Sequence, residues 1–295
     1  MNPKKVDKIA TNILYGISGI IVVILASLLL YILVRGLPHI SWHFLTSQSK
    51  AYEVGGGIGI QLFNSIFLLI ITMIISFPLS LGAGIYLSEY ANQNSWLTNL
   101  VRTAIEILSS LPSVVVGLFG FLIFVVQLGY GFSIISGALA LTVFNLPLMT
   151  RNVEESLKAV HHTLREGGLA LGLSRWETVL HVIVPEALPG IITGVVLSSG
   201  RIFGEAAALI YTAGQSAPAL NWSNWNPMSV SSPISIFRQA ETLAVHIWKV
   251  NGEGTVPDGA AVSAGASAVL IIFVLLFNFG ARFIGKKIHS KLTAS

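Results

Sequence analysis

Six apolar stretches, each near the length that crosses a bilayer, dominate this sequence. About 20 apolar residues are enough to span the hydrocarbon core of a membrane. Only 10% of the residues are charged and the mean hydropathy is +0.76, whereas a soluble domain carries about 25% charged residues. We therefore predict an all-α, polytopic membrane protein with six transmembrane helices. The predicted spans are Ile13–Val34, Gln61–Leu87, Thr103–Val126, Phe132–Thr150, Ala187–Thr212 and Ala260–Ile284.

Prolines lie in several of the predicted spans. Pro78 lies in the second span, Pro112 in the third, and Pro147 near the end of the fourth. The third span also carries Glu106 one turn inside its start. We expect kinks at these prolines, because proline removes a backbone donor from the helix.

Lysine and arginine are distributed unevenly between the predicted loops. With the N-terminus inside, twelve basic residues fall in cytoplasmic segments and four in outer segments, with Arg201 left over. This bias predicts that both termini are cytoplasmic, and it explains the basic charge without a nucleic-acid partner. The first span is too long for a cleavable signal and no A-x-A site follows it, so we expect a retained anchor helix. The inner group is Lys4, Lys5, Lys8, Arg102, Arg151, Lys158, Arg165, Arg175, Arg282, Lys286, Lys287 and Lys291; the outer group is Arg35, Lys50, Arg238 and Lys249.

The sequence contains no assembled catalytic site. It has no cysteine, which excludes disulfides, thiolate nucleophiles and cysteine metal ligands. Its seven histidines form no His-Glu-x-x-His pattern, and no Walker A sequence is present. We therefore predict a protein that is not an enzyme and that has no cofactor and no metal site. If it uses ATP, the ATPase is a separate subunit.

A polar segment between the fourth and fifth spans has a distinct pattern. It begins with Glu166, continues with Gly167 and Gly168, turns at Gly172, and ends with an apolar run closed by Pro185. This order predicts a short helix, a glycine turn and a second short helix lying against the membrane. Such a surface is suited to docking by another protein.

Arg201 is the one basic residue near the middle of a predicted span. It lies about 21 Å into the fifth span at 1.5 Å per residue, which is near the bilayer midplane, where an ionisable residue is a functional hypothesis by default. Glu205 follows four residues later, on the same face of the predicted helix. One interpretation is an anion pathway, because a guanidinium matches tetrahedral oxyanions; the other is a buried Arg–Glu pair that only fixes helix packing. Arg151, at the cytoplasmic end of the fourth span, is a candidate second basic residue on the route, although the positive-inside rule alone predicts it.

The outer loop between the last two spans, Ala213–Gly259, contains a run with helical spacing of apolar residues, Ser235–Trp248. We expect an amphipathic helix lying in the outer membrane interface. The alternative is a rim on which an external binding protein docks.

Several of these segments resemble the type I ABC importer permeases of the phosphate system, the PstA type. The similarity extends over about residues 61–284, and the polar segment resembles the family's EAA coupling loop, although Gly167 and Gly168 replace the usual alanines. Glycine should weaken the first coupling helix by about 1 kcal/mol per residue relative to alanine. The most specific segments are Glu106–Leu118, Met149–Glu154, Gly200–Ala206 and Leu275–Arg282.

The resemblance implies a fold, a function and a set of partners. It implies the type I ABC importer permease fold, with residues 1–60 as anchor helix and first outer loop, 61–284 as the permease domain containing a coupling loop at 151–186, and 285–295 as a cytoplasmic tail. It implies phosphate import with a PstC-like permease, a PstB-like ATPase dimer and a PstS-like phosphate-binding protein, in contact with membrane lipid. In this comparison Arg151, Arg201 and Glu205 match residues tied to phosphate passage, and Glu166, Gly167, Gly168, Gly172 and Pro185 belong to the ATPase coupling loop. A permease for sulfate or molybdate, a secondary transporter without an ATPase, and a membrane enzyme remain as alternatives.

Overall fold

The computed structural model describes residues 3–254 and 256–293, and within these ranges the chain is helical and has no β-strand. Five helical segments are long and apolar enough to cross a membrane, and a bent pair of helices makes a sixth. The all-α prediction is therefore confirmed. The helices are α1 (Pro3–Gly36), α2 (Trp42–Thr46), α3 (Gly59–Ile85), α4 (Trp96–Ser110), α5 (Ser113–Gly120), α6 (Ile134–Lys158), α7 (His162–Ala170), α8 (Arg175–Thr178), α9 (Val184–Phe203), α10 (Ala207–Thr212), α11 (Leu243–Glu253) and α12 (Gly259–Thr293).

Wider π-helical turns extend three of these helices. They continue α3 through Tyr86–Tyr90 and α5 through Phe121–Gln127, and they join α8 to α9 through Val179–Ile183. Residues 175–203 therefore form one continuous helical segment.

The centre of the bundle is the parallel pair α3 and α6. A Cβ at Gly84 would meet the side chain of Val153, and one at Gly137 would meet Leu68. Both contacts join residues 69 positions apart, as a parallel arrangement requires. Small residues at such contacts let two helices approach closely.

Helix α9 runs antiparallel to α6 and to α12. Gly194 packs on Asn152 of α6, and Gly285 of α12 packs on Ile192. Helix α1 is different, because its apolar window is fully exposed in the isolated chain. Its last residue, Gly36, packs on α12.

The third predicted span, Thr103–Val126, is not one continuous helix. The chain bends by 101° between α4 and α5. Pro112 has no N–H to continue a helix, and the preceding residue, Leu111, is extended with ψ 136°, as sterics before proline favour. Helix α4 therefore ends at Ser110, and its apolar residues lie largely on an exposed face.

The fifth predicted span, Ala187–Thr212, is wrong at both ends. Its helix continues without interruption from Arg175, and it ends at Phe203. After a break at residues 204–206 the short helix α10 begins. Glu205 lies in this break, where its carboxylate accepts a hydrogen bond from the backbone N–H of Ala208 at 3.2 Å. The Glu205 carboxylate thus pairs with a backbone N–H that would otherwise be unpaired at the start of α10. Glu205 itself is not part of α9.

The predicted outer helix Ser235–Trp248 is also displaced. Residues 235–242 are not helical, and α11 begins only at Leu243, with the Thr242 hydroxyl as its N-terminal cap. The segment before it is pinned by backbone bonds from Ile134 N–H to Arg238 O at 3.0 Å and from Ile135 N–H to Ile236 O at 2.9 Å. The first four residues of α11 are buried, so this helix packs within the protein instead of lying in an interface.

Two further boundaries differ from the predicted ones. Helix α6 continues to Lys158, so the first eight residues of the predicted 151–186 loop are helical. Helix α12 runs through residue 285 to Thr293 without a break. Residues 294 and 295 of the predicted tail lie outside the described residues.

Candidate functional site

Arg201 lies in the last turn of α9, at half the height of the bundle. Two residues later, the Phe203 ring stacks on Phe273 with centroids 4.1 Å apart. Phe273 is the central residue of the span Gly259–Lys287. The predicted depth of Arg201 is therefore compatible with the fold, although the helix that carries it begins and ends earlier than the sequence predicted.

The Arg201 guanidinium makes no ion pair or hydrogen bond with any described residue. Its contact is with the face of Phe144 on α6, where Cζ lies 3.8 Å from the ring centroid. Arginine offers five N–H donors in a planar fork, and a ring face satisfies none of them. The charge is thus held in place by a π contact while its donors remain available.

Glu205 does not occupy the position that a continuous helix predicted. Because α9 ends at Phe203, Glu205 is not one turn further along the same face as Arg201. The two side chains form no salt bridge, and the Glu205 carboxylate is hydrogen-bonded at the start of α10. The Glu205 charge still lies close enough to interact electrostatically with Arg201, so the two residues are neighbours without a direct hydrogen-bonded pair.

Buried polar groups near Arg201 were not predicted from the sequence. Asn145 follows Phe144 and is fully buried, and its side-chain oxygen has no partner among the described residues. Ser198, one turn before Arg201, is likewise buried with an unpaired hydroxyl. Since buried polar groups in proteins are normally hydrogen-bonded, these two atoms mark a polar layer inside the bundle near the Arg201 level. In the sequence, the only indication of this layer is that Asn145 and Ser198 are polar residues within apolar stretches.

Arg151 is not beside Arg201. It lies seven residues beyond Phe144 on α6, or about 10 Å along the helix axis. Its Nε donates to the Glu155 carboxylate at 2.9 Å, and the side chain is 55% exposed.

A charged cluster surrounds Arg151 at the predicted cytoplasmic end of the bundle. Arg102 of α4 and Lys158 of α6 both donate to the same Glu154 oxygen at 2.6 Å. These side chains line a cavity of about 200 Å³. Three basic and three acidic residues share its lining, namely Arg102, Arg151, Lys158, Glu106, Glu154 and Glu155.

The segment between α6 and α9 has the predicted helix–turn–helix form. Helix α7 ends before a turn at Gly172, whose φ of +85° is a left-handed conformation that glycine adopts without strain. Helix α8 follows with a capping box, in which Ser174 and Glu177 exchange hydrogen bonds between side chain and backbone. Pro185 is the second residue of α9 and directly follows the π-helical turn Val179–Ile183.

The two glycines that replace the usual alanines are not equivalent. A Cβ at Gly168 would lie 2.7 Å from a Thr178 methyl group, because α7 and α8 touch there. A Cβ at Gly167 would meet nothing within 4 Å. Gly168 is therefore required by packing, whereas Gly167 is not.

Arg165 ties this segment to the rest of the bundle, and the sequence did not single it out as a contact. Its Nη2 and Nε donate to the two oxygens of Glu89 at 2.9 and 3.2 Å. The remaining N–H groups donate to the backbone carbonyls of Leu157 and Val160, at 2.7 and 2.8 Å. One half-buried guanidinium thus joins α7 to the ends of α3 and α6. Arg165 and Glu89 are 76 residues apart in the chain. In the sequence, the only indication of this contact is that Glu89 is an isolated acidic residue shortly after the second predicted span.

The outer side of the same segment is exposed and partly apolar. Leu171 is 85% exposed, and Leu169 and Trp176 are each more than half exposed. Glu166 is also exposed and lies 3.3 Å from the ring nitrogen of His162. We call Glu166, Leu169, Leu171 and Trp176 the coupling surface.

Comparison with known proteins identifies the family. The profile of the family described as "Binding-protein-dependent transport system inner membrane component" matches residues 77–293. The chain belongs to this family. It is 53% identical over all 295 residues to the "Probable ABC transporter permease protein YqgI" of Bacillus subtilis (strain 168), covering 100% of both chains. It is 33% identical to the phosphate transport system permease protein PstA of Xylella fastidiosa (strain 9a5c), covering 84% of this chain and 81% of that protein.

A solved structure supports the fold at low sequence identity. The permease matches a chain of a bacterial alginate ABC transporter with a TM-score of 0.66 at 14% identity, covering 97% of this chain and 96% of the other. The permease is thus a multi-pass membrane component of an ABC transporter. Family membership implies a partner permease, an ATPase and a substrate-binding protein, and it excludes the secondary-transporter and membrane-enzyme alternatives.

Proposed function

We propose that this permease conducts inorganic phosphate into the cell as one of two homologous membrane subunits of an ATP-driven importer. The observation that carries the proposal is the Arg201 guanidinium, which lies at half the height of the bundle with no carboxylate of the described residues within ion-pair distance. A charge in such a place costs several kcal/mol unless it is paired or hydrated. A passing anion supplies the pairing that the protein itself withholds.

The choice of phosphate rests on chemistry and on relatives. A guanidinium donates two parallel hydrogen bonds to a tetrahedral oxyanion. Relatives named PstA are about one-third identical over most of the chain, including those from Xylella fastidiosa and, at 30% identity, Haemophilus influenzae.

In this proposal phosphate meets Arg201 first and the charged cluster around Arg151 afterwards. Arg151 starts out bonded to Glu155, so an arriving anion would have to compete with an existing ion pair. That competition keeps affinity low at the cytoplasmic exit, which favours release. Glu205 lies at the break between α9 and α10. Its carboxylate would move together with α10, because it is hydrogen-bonded to the start of that helix.

The coupling surface is the proposed contact for the ATPase. Movement of α7 would be transmitted by Arg165 to Glu89 and to the end of α6. We assign the ATPase as a PstB-like dimer, the second permease as PstC-like, and the external partner as a PstS-like phosphate-binding protein. In this proposal the coupling surface and both termini lie in the cytoplasm.

The guanidinium geometry also accommodates sulfate and molybdate, which are tetrahedral oxyanions too. The test is uptake of radiolabelled phosphate by cells that lack their own phosphate importers and express this permease with its partner genes. We expect ATP-dependent uptake that excess unlabelled phosphate abolishes and that excess sulfate or molybdate leaves intact. ATP-dependent uptake of sulfate or molybdate in the absence of phosphate uptake would contradict the assignment.

A further inference from the structure

Arg238, in the predicted outer loop between α10 and α11, is the largest fully buried side chain of the described residues, with 1% of its surface exposed. Its Nη1 and Nη2 donate to the backbone carbonyls of Gln239 and Pro233, each at 3.2 Å. The Nε has no partner. The Phe63 ring lies below the guanidinium, 5.8 Å from Cζ.

No carboxylate of the described residues pairs with this guanidinium. The acid closest in sequence, Glu241, is already bonded to Gln61 at 3.0 Å and to His246 at 3.2 Å. Burial lowers the pKa of Arg238 to about 10, so the group remains protonated at neutral pH. A buried charge without a counter-ion is strongly unfavourable, and the 25 residues before it, 213–237, contain no charged residue.

Arg238 also lines an open cavity of about 530 Å³. The cavity wall combines the link between α5 and α6 with the outer loop. Its polar lining consists of Tyr130, Ser216, Ser231 and Gln239 besides Arg238, which is the only charged residue there. Donors without any acidic group favour an anion over a cation.

We propose that this cavity is an oxyanion-binding site on the outer side of the permease, in which a tetrahedral oxyanion pairs with Arg238. The two existing bonds of the guanidinium are at the long end of the normal range. Bonds to an ionised acceptor are shorter and about twice as strong as neutral ones. The cavity wall covers the guanidinium, which is 1% exposed. An anion that displaces this cover can therefore take over donors that the backbone carbonyls hold weakly, together with the unpaired Nε.

The site lies apart from Arg201, which is at half height between α6 and α12. Its occupant is phosphate only if the proposed function is correct; the site itself requires only an oxyanion. For a phosphate importer it would provide a first binding position for the anion released from the binding protein, ahead of Arg201.

The test is equilibrium binding of radiolabelled phosphate to the assembled transporter in lipid nanodiscs, without ATP and without the binding protein. Arg201→Gln removes the central site, so binding that remains reports on the outer cavity. We expect this variant to retain phosphate binding and the double variant with Arg238→Gln to lose it. Arg238→Lys should retain weaker binding. Lys50→Gln, which removes an exposed outer charge paired with Glu53, is the matched control and should leave binding unchanged.

A measurement on a chain with Arg238 intact guards against misfolding of the Arg238 variant. Phosphate should raise the melting temperature of the Arg201→Gln transporter, because a ligand that binds only the native state stabilises it. If sulfate produces the rise and phosphate does not, the Arg238 site stands and the phosphate assignment fails. If neither phosphate, sulfate nor molybdate binds or stabilises this variant, the Arg238 site is wrong. One further result would overturn the Arg238 site: the Arg201→Gln transporter binds no free anion, and Arg238→Gln loses docking of the binding protein. Arg238 would then be a docking contact.

Discussion

Arg165 and Arg201 are the same residue type in opposite states of hydrogen bonding. Arg165 is saturated by the Glu89 carboxylate and two backbone carbonyls. Arg201 has only a phenyl face beneath it. A saturated guanidinium fixes the positions of the segments it joins, whereas an unsaturated one in an apolar bundle retains its donors for an anion. The surroundings of each side chain, and not its residue type, separate the structural arginine from the transport candidate.

Gly168 and Gly167 provide a matched pair of substitutions on the same helix. Gly168→Ala would force its Cβ against Thr178, so we expect α7 to separate from α8 and ATPase-coupled uptake to fall several-fold. Gly167→Ala meets open space and should stabilise α7 by about 1 kcal/mol. Hydrogen exchange of the α7 amides measures how each substitution changes the stability of α7. Equal protection of the α7 amides from exchange in the two variants would show that the contact with Thr178 does not stabilise α7.

Elements whose boundaries depend on composition were predictable from the sequence, and elements that depend on a local break were not. Helices α3, α6 and α12 follow from apolar length, and the turn between α7 and α8 follows from Gly172. The third span was predicted with a kink at Pro112, but apolar content on both sides concealed a bend of 101°.

The break after Phe203 was missed for a different reason. Nothing in the local composition distinguishes Gly204 from the other small residues of a membrane helix, and the break depends on a side-chain bond from Glu205 to the next helix. The candidate site was therefore predicted in part. The depth of Arg201 followed from counting residues, whereas the absence of a direct bond from Arg201 to Glu205 and the Arg165–Glu89 contact depend on tertiary packing.

The Arg165–Glu89 contact can be tested as a mechanical link between elements. Arg165→Ala and Glu89→Ala should each reduce phosphate transported per ATP hydrolysed by about tenfold, which corresponds to roughly 1.4 kcal/mol. The double variant should be little worse than Arg165→Ala, because the two residues contribute through one contact. Additive losses in the ratio of uptake to ATP hydrolysis would mean that the two residues act separately. Arg282→Ala, which removes an exposed charge of α12 at the same end of the bundle, serves as the control for loss of a charge.

The isolated chain leaves large apolar surfaces uncovered, and in the whole molecule these must meet other components. Helix α1 and the exposed face of α4 are of the kind that lipid or a second permease covers. The coupling surface is different, because its apolar side chains stand beside exposed charge. That combination is typical of a surface that another protein covers.

Leu171 is the most exposed apolar residue of the coupling surface, and a charge there should prevent its burial. We expect Leu171→Asp to reduce co-purification of the ATPase at least tenfold while the partner permease remains bound. Met228→Asp introduces the same charge at a similarly exposed position in the predicted outer loop and should leave the ATPase bound. Quantitative pull-down from detergent extracts compares the two. Retention of the ATPase by Leu171→Asp would exclude this residue from the contact.

The central claim is that the unpaired guanidinium of Arg201 is kept for a passing oxyanion. It is tested most directly by radiolabelled phosphate uptake into vesicles that contain the assembled transporter with Arg201→Gln. We predict that uptake is lost, while the subunits still co-purify and basal ATP hydrolysis continues, because glutamine retains polarity but not the positive charge. Uptake at the unsubstituted rate from a fully assembled complex would contradict the claim and reduce Arg201 to a packing residue.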